Sequence, residues 1–191
     1  MINDILINLK NNLNAHLISG RRPQDPQEDQ VVFLEGQNLE SLSFKVGAVS
    51  VLLTKLEQEN ILRPADPYTR RLPEGTVQMV QPEIRLNLYV LFVAHYPQYE
   101  DALRQLSATI QYFQSHRVIN HQNSPELSDS INQVVVELVT LSFSEQNEIW
   151  GALRSAYQPS VLYKVKMVVF YDHQSTAEAS PIEEQVVRLS V

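Results

Sequence analysis

"EQNEIWGALRSAYQPSVLYKVKMVVFY" spans residues 145–171, and its reading decides how the chain is organised. Ile149, Trp150, Leu153 and Ala156 recur at helical spacing, so the first part reads as an amphipathic helix that buries these four. Ser144 stands as its N-cap, and Glu145 and Glu148 lie in the first turn, where carboxylates suit the positive end of the helix dipole. Pro159 stops the helix, and Val161, Tyr163, Val165, Met167 and Val169 then fall on one face of a strand. Only Tyr157 to Ser160 separate the two periods, so helix and strand must fold back on each other around the chain's single tryptophan.

Working outward, "INQVVVELVTLSF" (131–143) is a strand leading into that helix. Upstream, "PEIRLNLYVLFVAHY" (82–96) alternates first, with Ile84, Leu86, Leu88 and Val90 facing one way, and then becomes apolar on both faces, as a central strand does. The helix after Pro97 places Tyr99, Ala102, Leu103, Leu106, Ile110 and Phe113 on the stripe that should lie across the sheet. Residues 31–35 and 42–58 are β-branched and aromatic-rich, with "GQNLES" between them, and read as a hairpin whose long second arm is bulged at Gly47. Residues 61–76 carry Pro64, Pro67, Pro73 and Gly75 and read as a long loop. The chain opens with Ile2, Ile5, Leu6, Leu9, Leu13 and Leu17 on one stripe of a helix, with Asn3, Asn8 and Asn12 opposite, and an exposed Pro-rich loop follows Gly20.

These elements predict an α+β fold: a single domain with a mixed or antiparallel sheet of about four to five strands, packed by two to three helices. The domain is expected over residues 1–173. A small-polar linker and a C-terminal β arm occupy 174–191, where Val186, Val187, Arg188, Leu189 and Val191 could add to a sheet edge.

Composition removes several functions. A 191-residue chain suits one core, and 43% apolar content is enough to build it. The net charge of -7 opposes a phosphate backbone, so nucleic acid is not an expected partner. Without cysteine there is no thiolate nucleophile or Cys-ligated metal, and no run approaches the roughly 18 apolar residues of a membrane span. The expected location is the cytoplasm at synthesis, with no direct membrane insertion.

Motifs that carry chemistry do not occur. GxSxG, GxGxxG and the P-loop pattern are all missing, and five glycines provide no phosphate cradle. His116 and His121 have a spacing that can ligate zinc but no third ligand cluster nearby, and Glu145 and Glu148 read as dipole partners before they read as an acid/base pair. No catalytic residue, metal or cofactor is expected. Arg70 and Arg71, in the Pro-rich loop with Tyr68, suit a rim contact with an acidic partner surface. What remains is a structural building block or a non-catalytic adaptor.

One resemblance favours the first. Residues 82–119 present a Pro-initiated alternating strand, a Tyr-containing helix and the segment Arg117-Val118-Ile119; residues 134–172 then present Trp150, Leu153, Tyr157, Pro159, Ser160, Val161 and Tyr163 as a "W..L...Y.PSV.Y" signature. This ordered set resembles the N-terminal domain of the cap, or tail-terminator, proteins of phage-tail-like contractile injection systems of the antifeeding-prophage and virulence-cassette type. Residues 49–63 also look like the family's first strand region, although Leu53 and "LRP" replace its usual Tyr and Arg-Asn. The resemblance implies a homo-hexameric ring on the distal end of the inner tube and sheath, which ends polymerisation and anchors the sheath. The implied partners are other copies, the sheath protein and the tube protein of an assembled particle. Trp150, Leu153, Tyr157, Pro159 and Tyr163 would be its structural core signature, with Tyr68, Arg70, Arg71 and the arm at the interfaces.

Overall fold

The computed structural model describes residues 2–20, 28–34, 42–59, 69–71, 77–79, 84–128, 131, 133–170 and 177–179. In chain order the elements are α1 (Ile2–Ser19), β1 (Val31–Phe33), β2 (Ala48–Gln58), β3 (Thr69–Arg71), β4 (Val77–Met79), β5 (Ile84–His95), α2 (Tyr99–Ser115), β6 (Val118–Asn120), β7 (Gln133–Val139), α3 (Phe143–Leu153), β8 (Ser160–Phe170) and β9 (Ala177–Ala179). The fold is α+β, as the residue patterns predict.

The chain divides into two units, Met1–Glu57 with Leu86–Val168, and Gln58–Arg85 with Val169–Val191. The first holds the three helices and the body of a six-stranded mixed sheet in the order β1-β2-β5-β8-β7-β6. The second contains a three-stranded antiparallel sheet, β3-β4-β9, in which Arg70 pairs with Gln78 and Gln78 with Glu178. Six strands exceed the expected four to five because β6, three residues long, is too short to show a period. Strand β3 likewise falls inside the stretch expected to be loop, and β9 inside the expected linker.

Alternation along β5 and β8 assigns the two faces of the larger sheet. Phe92 and Tyr163 meet Phe113 of α2, with ring centroids 5.1 and 4.8 Å away. Their sequence neighbours Leu91, Val93 and Leu162 point to the other face, where they join Phe44 and Trp150 of α3 in a second apolar cluster. So α2 and α3 cover opposite faces. Helix α1 packs beside α2 and buries Ile5, Leu9, Leu13 and Leu17, each worth about 1.5–3 kcal/mol of apolar transfer.

The structure corrects four local expectations. First, β1 and β2 form no hairpin: they run parallel, with Val31 opposite Val49 and Phe33 opposite Val51. The side chain of Asn14 on α1 decides this, because its Oδ1 accepts from the backbone N–H groups of Gln30 (2.7 Å) and Val31 (3.0 Å) and ties the start of β1 to the helix. Gly47, at φ 82°, makes the turn before β2 and is not a bulge within it. Second, Asn8 does not face outward. It is buried and donates to Ser124 Oγ at 2.6 Å, while Asn12 donates to both Asn8 Oδ1 (2.9 Å) and Ser124 Oγ (3.1 Å), a polar cluster that holds the segment after β6.

Third, α2 is rotated from the expected face. It buries Ala102, Thr109, Tyr112 and Phe113, while Tyr99, Leu103 and Ile110 are exposed. The two aromatics near its C-terminal end set the rotation, Phe113 by packing against Phe92 and Tyr163 of the sheet and Tyr112 against His16 of α1, and Thr109 becomes tolerable inside because its hydroxyl donates to the Gln105 carbonyl at 2.9 Å. Fourth, α3 starts two residues earlier than expected. Ser142, not Ser144, is the N-cap: its Oγ accepts from Glu145 N–H at 3.3 Å while Glu145 Oε2 accepts from Ser142 N–H at 2.8 Å, a reciprocal capping box. The helix ends at Leu153 with Arg154 in the left-handed region (φ 51°), six residues before Pro159, so Ala156 lies outside it and is exposed.

Candidate assembly surfaces

Strands β7 and β8 are antiparallel neighbours, Val139 opposite Leu162, and α3 is the connection between them. The helix therefore folds back over the sheet it leaves, and Trp150, only 6% exposed, is driven into Phe44, Leu91, Val93 and Leu162. Leu153 packs at the edge of this cluster and Pro159 is buried, its carbonyl accepting from Ala94 N–H at 2.9 Å. Tyr157 stands against the Trp150 edge with ring centroids 5.6 Å apart, yet remains 56% exposed. Tyr163 belongs to the opposite face, and burial pushes its phenol up to about 12. The tryptophan unit is thus a joint, and its five signature residues split between two faces.

Beside the α3 cluster the same side of the sheet becomes ionic. Glu57 of β2 accepts from Lys164 Nζ of β8 (2.9 Å), from Tyr89 Oη of β5 (2.8 Å) and from Lys55 Nζ (3.1 Å). These bonds, with that of Lys164 first, hold the Glu57 carboxyl down to about 2, and Glu57 in turn raises Lys164. Both ammonium groups lie over the Tyr89 ring, 5.0 and 5.4 Å from its centroid, and Lys166 pairs with Glu137 on the next strand. Three strands are cross-linked by side chains as well as by backbone. The signal was present in sequence as charges at alternate positions of β2 and β8, Lys55 with Glu57 and Lys164 with Lys166, but it has no motif.

Two groups of exposed apolar side chains have no internal task. On α2, Tyr99, Leu103 and Ile110 are 65, 41 and 37% exposed, and with half-buried Leu106 they form a seam spaced four, three and four residues apart. At the first position of α3, Phe143 is 88% exposed. Sequence reasoning assigned the seam to the core and Phe143 to a strand; only the rotation of α2 and the true start of α3 bring them out.

The carboxylates considered for chemistry, and His116, have structural partners. Glu145 is the capping box residue, held below the usual carboxylate range by Ser142, and Glu148 Oε1 accepts from Ser144 Oγ at 3.4 Å. His116 stacks on Tyr112 and its Nδ1 bonds the Tyr112 carbonyl at 2.9 Å. Among the described residues no three acidic or histidine side chains gather to hold a metal, and no helix is long and apolar enough to cross a membrane. Of the proposed interface residues, Arg70 and Arg71 stand in β3 opposite Gln78 and Val77. Tyr68 and Val186, Val187, Arg188, Leu189 and Val191 lie outside the described residues.

A joint of α3 on the sheet, an ionic brace and two outward apolar patches describe a building block of an α+β class. The chain belongs to the Pvc16 N-terminal domain family, whose pattern matches residues 6–184. No protein of curated function matches its sequence. Among solved structures it is similar to the sheath/tube terminator, in the extended state, of the extracellular contractile injection system PVC: 15% identity, TM-score 0.59, over 97% of this chain and 63% of that one. It is also similar to the tube-terminating cap of the anti-feeding prophage, at 13% identity and TM-score 0.51, over 74% of this chain and 49% of that one. The chain therefore spans less than two thirds of the length of either, and at these identities the likeness is one of fold.

Proposed function

We propose that this chain is a structural cap of a contractile injection system: a terminator that sits as a ring on the distal end of the inner tube and sheath, ends their polymerisation and anchors the sheath. The observation that carries this reading is the fold match across 97% of the chain to a protein that terminates both sheath and tube, joined to this chain's membership of the Pvc16 N-terminal domain family. Its partners are further copies, in a ring of six, and the sheath and tube proteins of a released or anchored particle. The role is non-catalytic.

The architecture suits the task. A terminator must keep its shape while the sheath contracts, and the Glu57 cross-link, the capped α3 and the Trp150 joint all stiffen one sheet. The segment around Tyr68, Arg70 and Arg71 contacts a neighbouring subunit or the tube. The arm from Val186 to Val191 adds as a strand to sheath, through backbone bonds that tolerate rigid-body motion. Deleting residues 182–191 leaves the domain folded and weakens sheath attachment.

The reading is tested by assembling tube and sheath proteins with a gold-labelled version of the chain and imaging by negative-stain electron microscopy. Label confined to one end of each particle supports it. Label along the sides, or on no particle, sinks it.

A further inference from the structure

We infer that copies of this chain join edge to edge through the small sheet of unit 2, strand β3 of one copy lying beside strand β9 of the next, with Arg70 opposite Glu178 at each contact. The inference rests on the cap reading and names a neighbouring subunit, not the tube, as what the Arg70 segment meets. A ring needs two different, complementary edges on each subunit, because a self-complementary one closes at a dimer. Unit 2 has such a pair. Its sheet runs β3-β4-β9, so among the described residues β3 and β9 are its outer strands, each with a row of backbone groups turned away from β4.

Charge sorts the two edges. Strand β3 reads Thr69-Arg70-Arg71, with two cations; β9 reads Ala177-Glu178-Ala179, with one carboxylate; and β4 between them, Val77-Gln78-Met79, has no charge. Register then aligns them: Arg70 pairs with Gln78 and Gln78 with Glu178, so the three positions form one row, each at the centre of its strand. Within one copy β4 keeps the two charged positions two strand spacings apart, about 10 Å. Adding the next copy's β3 to β9 in the same row brings them to one spacing, about 5 Å. Because both positions are central, this holds whether the added strand runs parallel or antiparallel. The symmetric alternatives are penalised: β3 on β3 sets Arg70 against Arg70, β9 on β9 sets Glu178 against Glu178, and like charges directly opposite destabilise a strand pair. Each edge repels its own kind and attracts the other, which gives a head-to-tail series and not a dimer.

The test reverses charges in the full chain, without tube or sheath, and follows association by sedimentation equilibrium. Wild type should self-associate. Arg70→Glu alone and Glu178→Arg alone each set like charges at every contact and should weaken association by about tenfold or more. An equimolar mixture of the two variants should recover it, since opposite charges meet wherever the two kinds of copy alternate. Mixing cannot restore an attraction inside one chain, so recovery reports a contact between copies. The natural chain has no cysteine, which opens a second measurement for the case that a reversal fails to fold by circular dichroism. Arg70→Cys mixed with a size-tagged Glu178→Cys should form mixed disulfides on oxidation faster than either variant forms with itself. A wild type that stays monomeric to millimolar concentration, a reversal that associates as wild type does, a mixture no stronger than its parts, or cross-links without preference for the mixed pair overturns the inference. So does an Arg70→Glu chain that self-associates normally and loses binding to the tube protein, which makes the tube the partner. Such a result leaves the cap reading standing if the gold label still marks one particle end. Recovery by mixing in a chain that marks no end would refute the cap reading and keep the contact.

Discussion

Replacing Asn14 by alanine should destabilise the protein by about 2–3 kcal/mol, and the reason lies in two backbone donors. Asn14 Oδ1 accepts from the N–H groups of Gln30 and Val31, residues that are 2 and 0% exposed, so neither donor gains water when the acceptor is removed. A buried donor left unmade costs about 1–3 kcal/mol. The partly exposed bond from Asn14 Nδ2 to Asp29 Oδ1, 2.8 Å, adds less than about 1 kcal/mol, and the better helix propensity of alanine returns about 0.5 kcal/mol. The loss is a sizeable share of the roughly 5–15 kcal/mol by which domains are stable, and should lower the melting temperature by on the order of 5–10 °C. Urea unfolding of wild type and variant measures it. Asp29 offers a second readout: the Asn14 hydrogen bond is the first cause, ahead of Lys10, of a carboxyl held below its usual range, so its NMR titration should move up in the variant. A stability change under about 0.5 kcal/mol with an unmoved Asp29 would refute the claim that Asn14 ties β1 to α1.

Trp150→Ala should remove about 3–5 kcal/mol by opening a cavity among Phe44, Leu91, Val93 and Leu162, read by the same urea unfolding. Ser142→Ala breaks both halves of the capping box and should lower stability by about 1 kcal/mol, whereas Ser144→Ala, which touches only Glu148, should change it by far less. For Glu57 the folded value, about 2, lies below the ordinary 4.5, so its contribution is present above pH 4.5 and is lost as pH falls through the interval down to 2. Glu57→Gln should therefore cost about 1 kcal/mol at pH 7, a figure reduced for the one-third exposure of the carboxylate, and the gap to wild type should close in chemical denaturation near pH 2. A gap that is constant from pH 7 to pH 2 contradicts the brace.

The elements with long, consistent periods were legible from sequence: α1, β5, β8 and the existence of α2 and α3 follow from apolar spacing alone. What the period could not give was rotation. On α2 two overlapping stripes satisfy helical spacing, one through Tyr99, Leu103 and Ile110 and one through Ala102, Thr109 and Phe113, and only the aromatic contacts of Phe113 with Phe92 and Tyr163 choose between them. The parallel entry of β1 was hidden because it depends on one side chain, Asn14, reaching 16 residues along the chain. Asn8 was misread for a related cause: a polar residue beside an apolar stripe looks solvated until Ser124, 116 residues away, is seen to partner it. The ionic brace combines residues from β2, β5 and β8, whose adjacency is a property of sheet order. The Trp150 joint was the most legible feature, since its helix, turn and strand are contiguous.

We propose that the chain ends a tube. The most direct measurement is the length distribution of particles assembled from tube and sheath proteins, by electron microscopy, with the chain present and with it omitted. Its presence should give particles closed at one end by extra density, and its omission tubes that run on to irregular length. Equal length distributions in the two preparations, with no added density at either end, would contradict it.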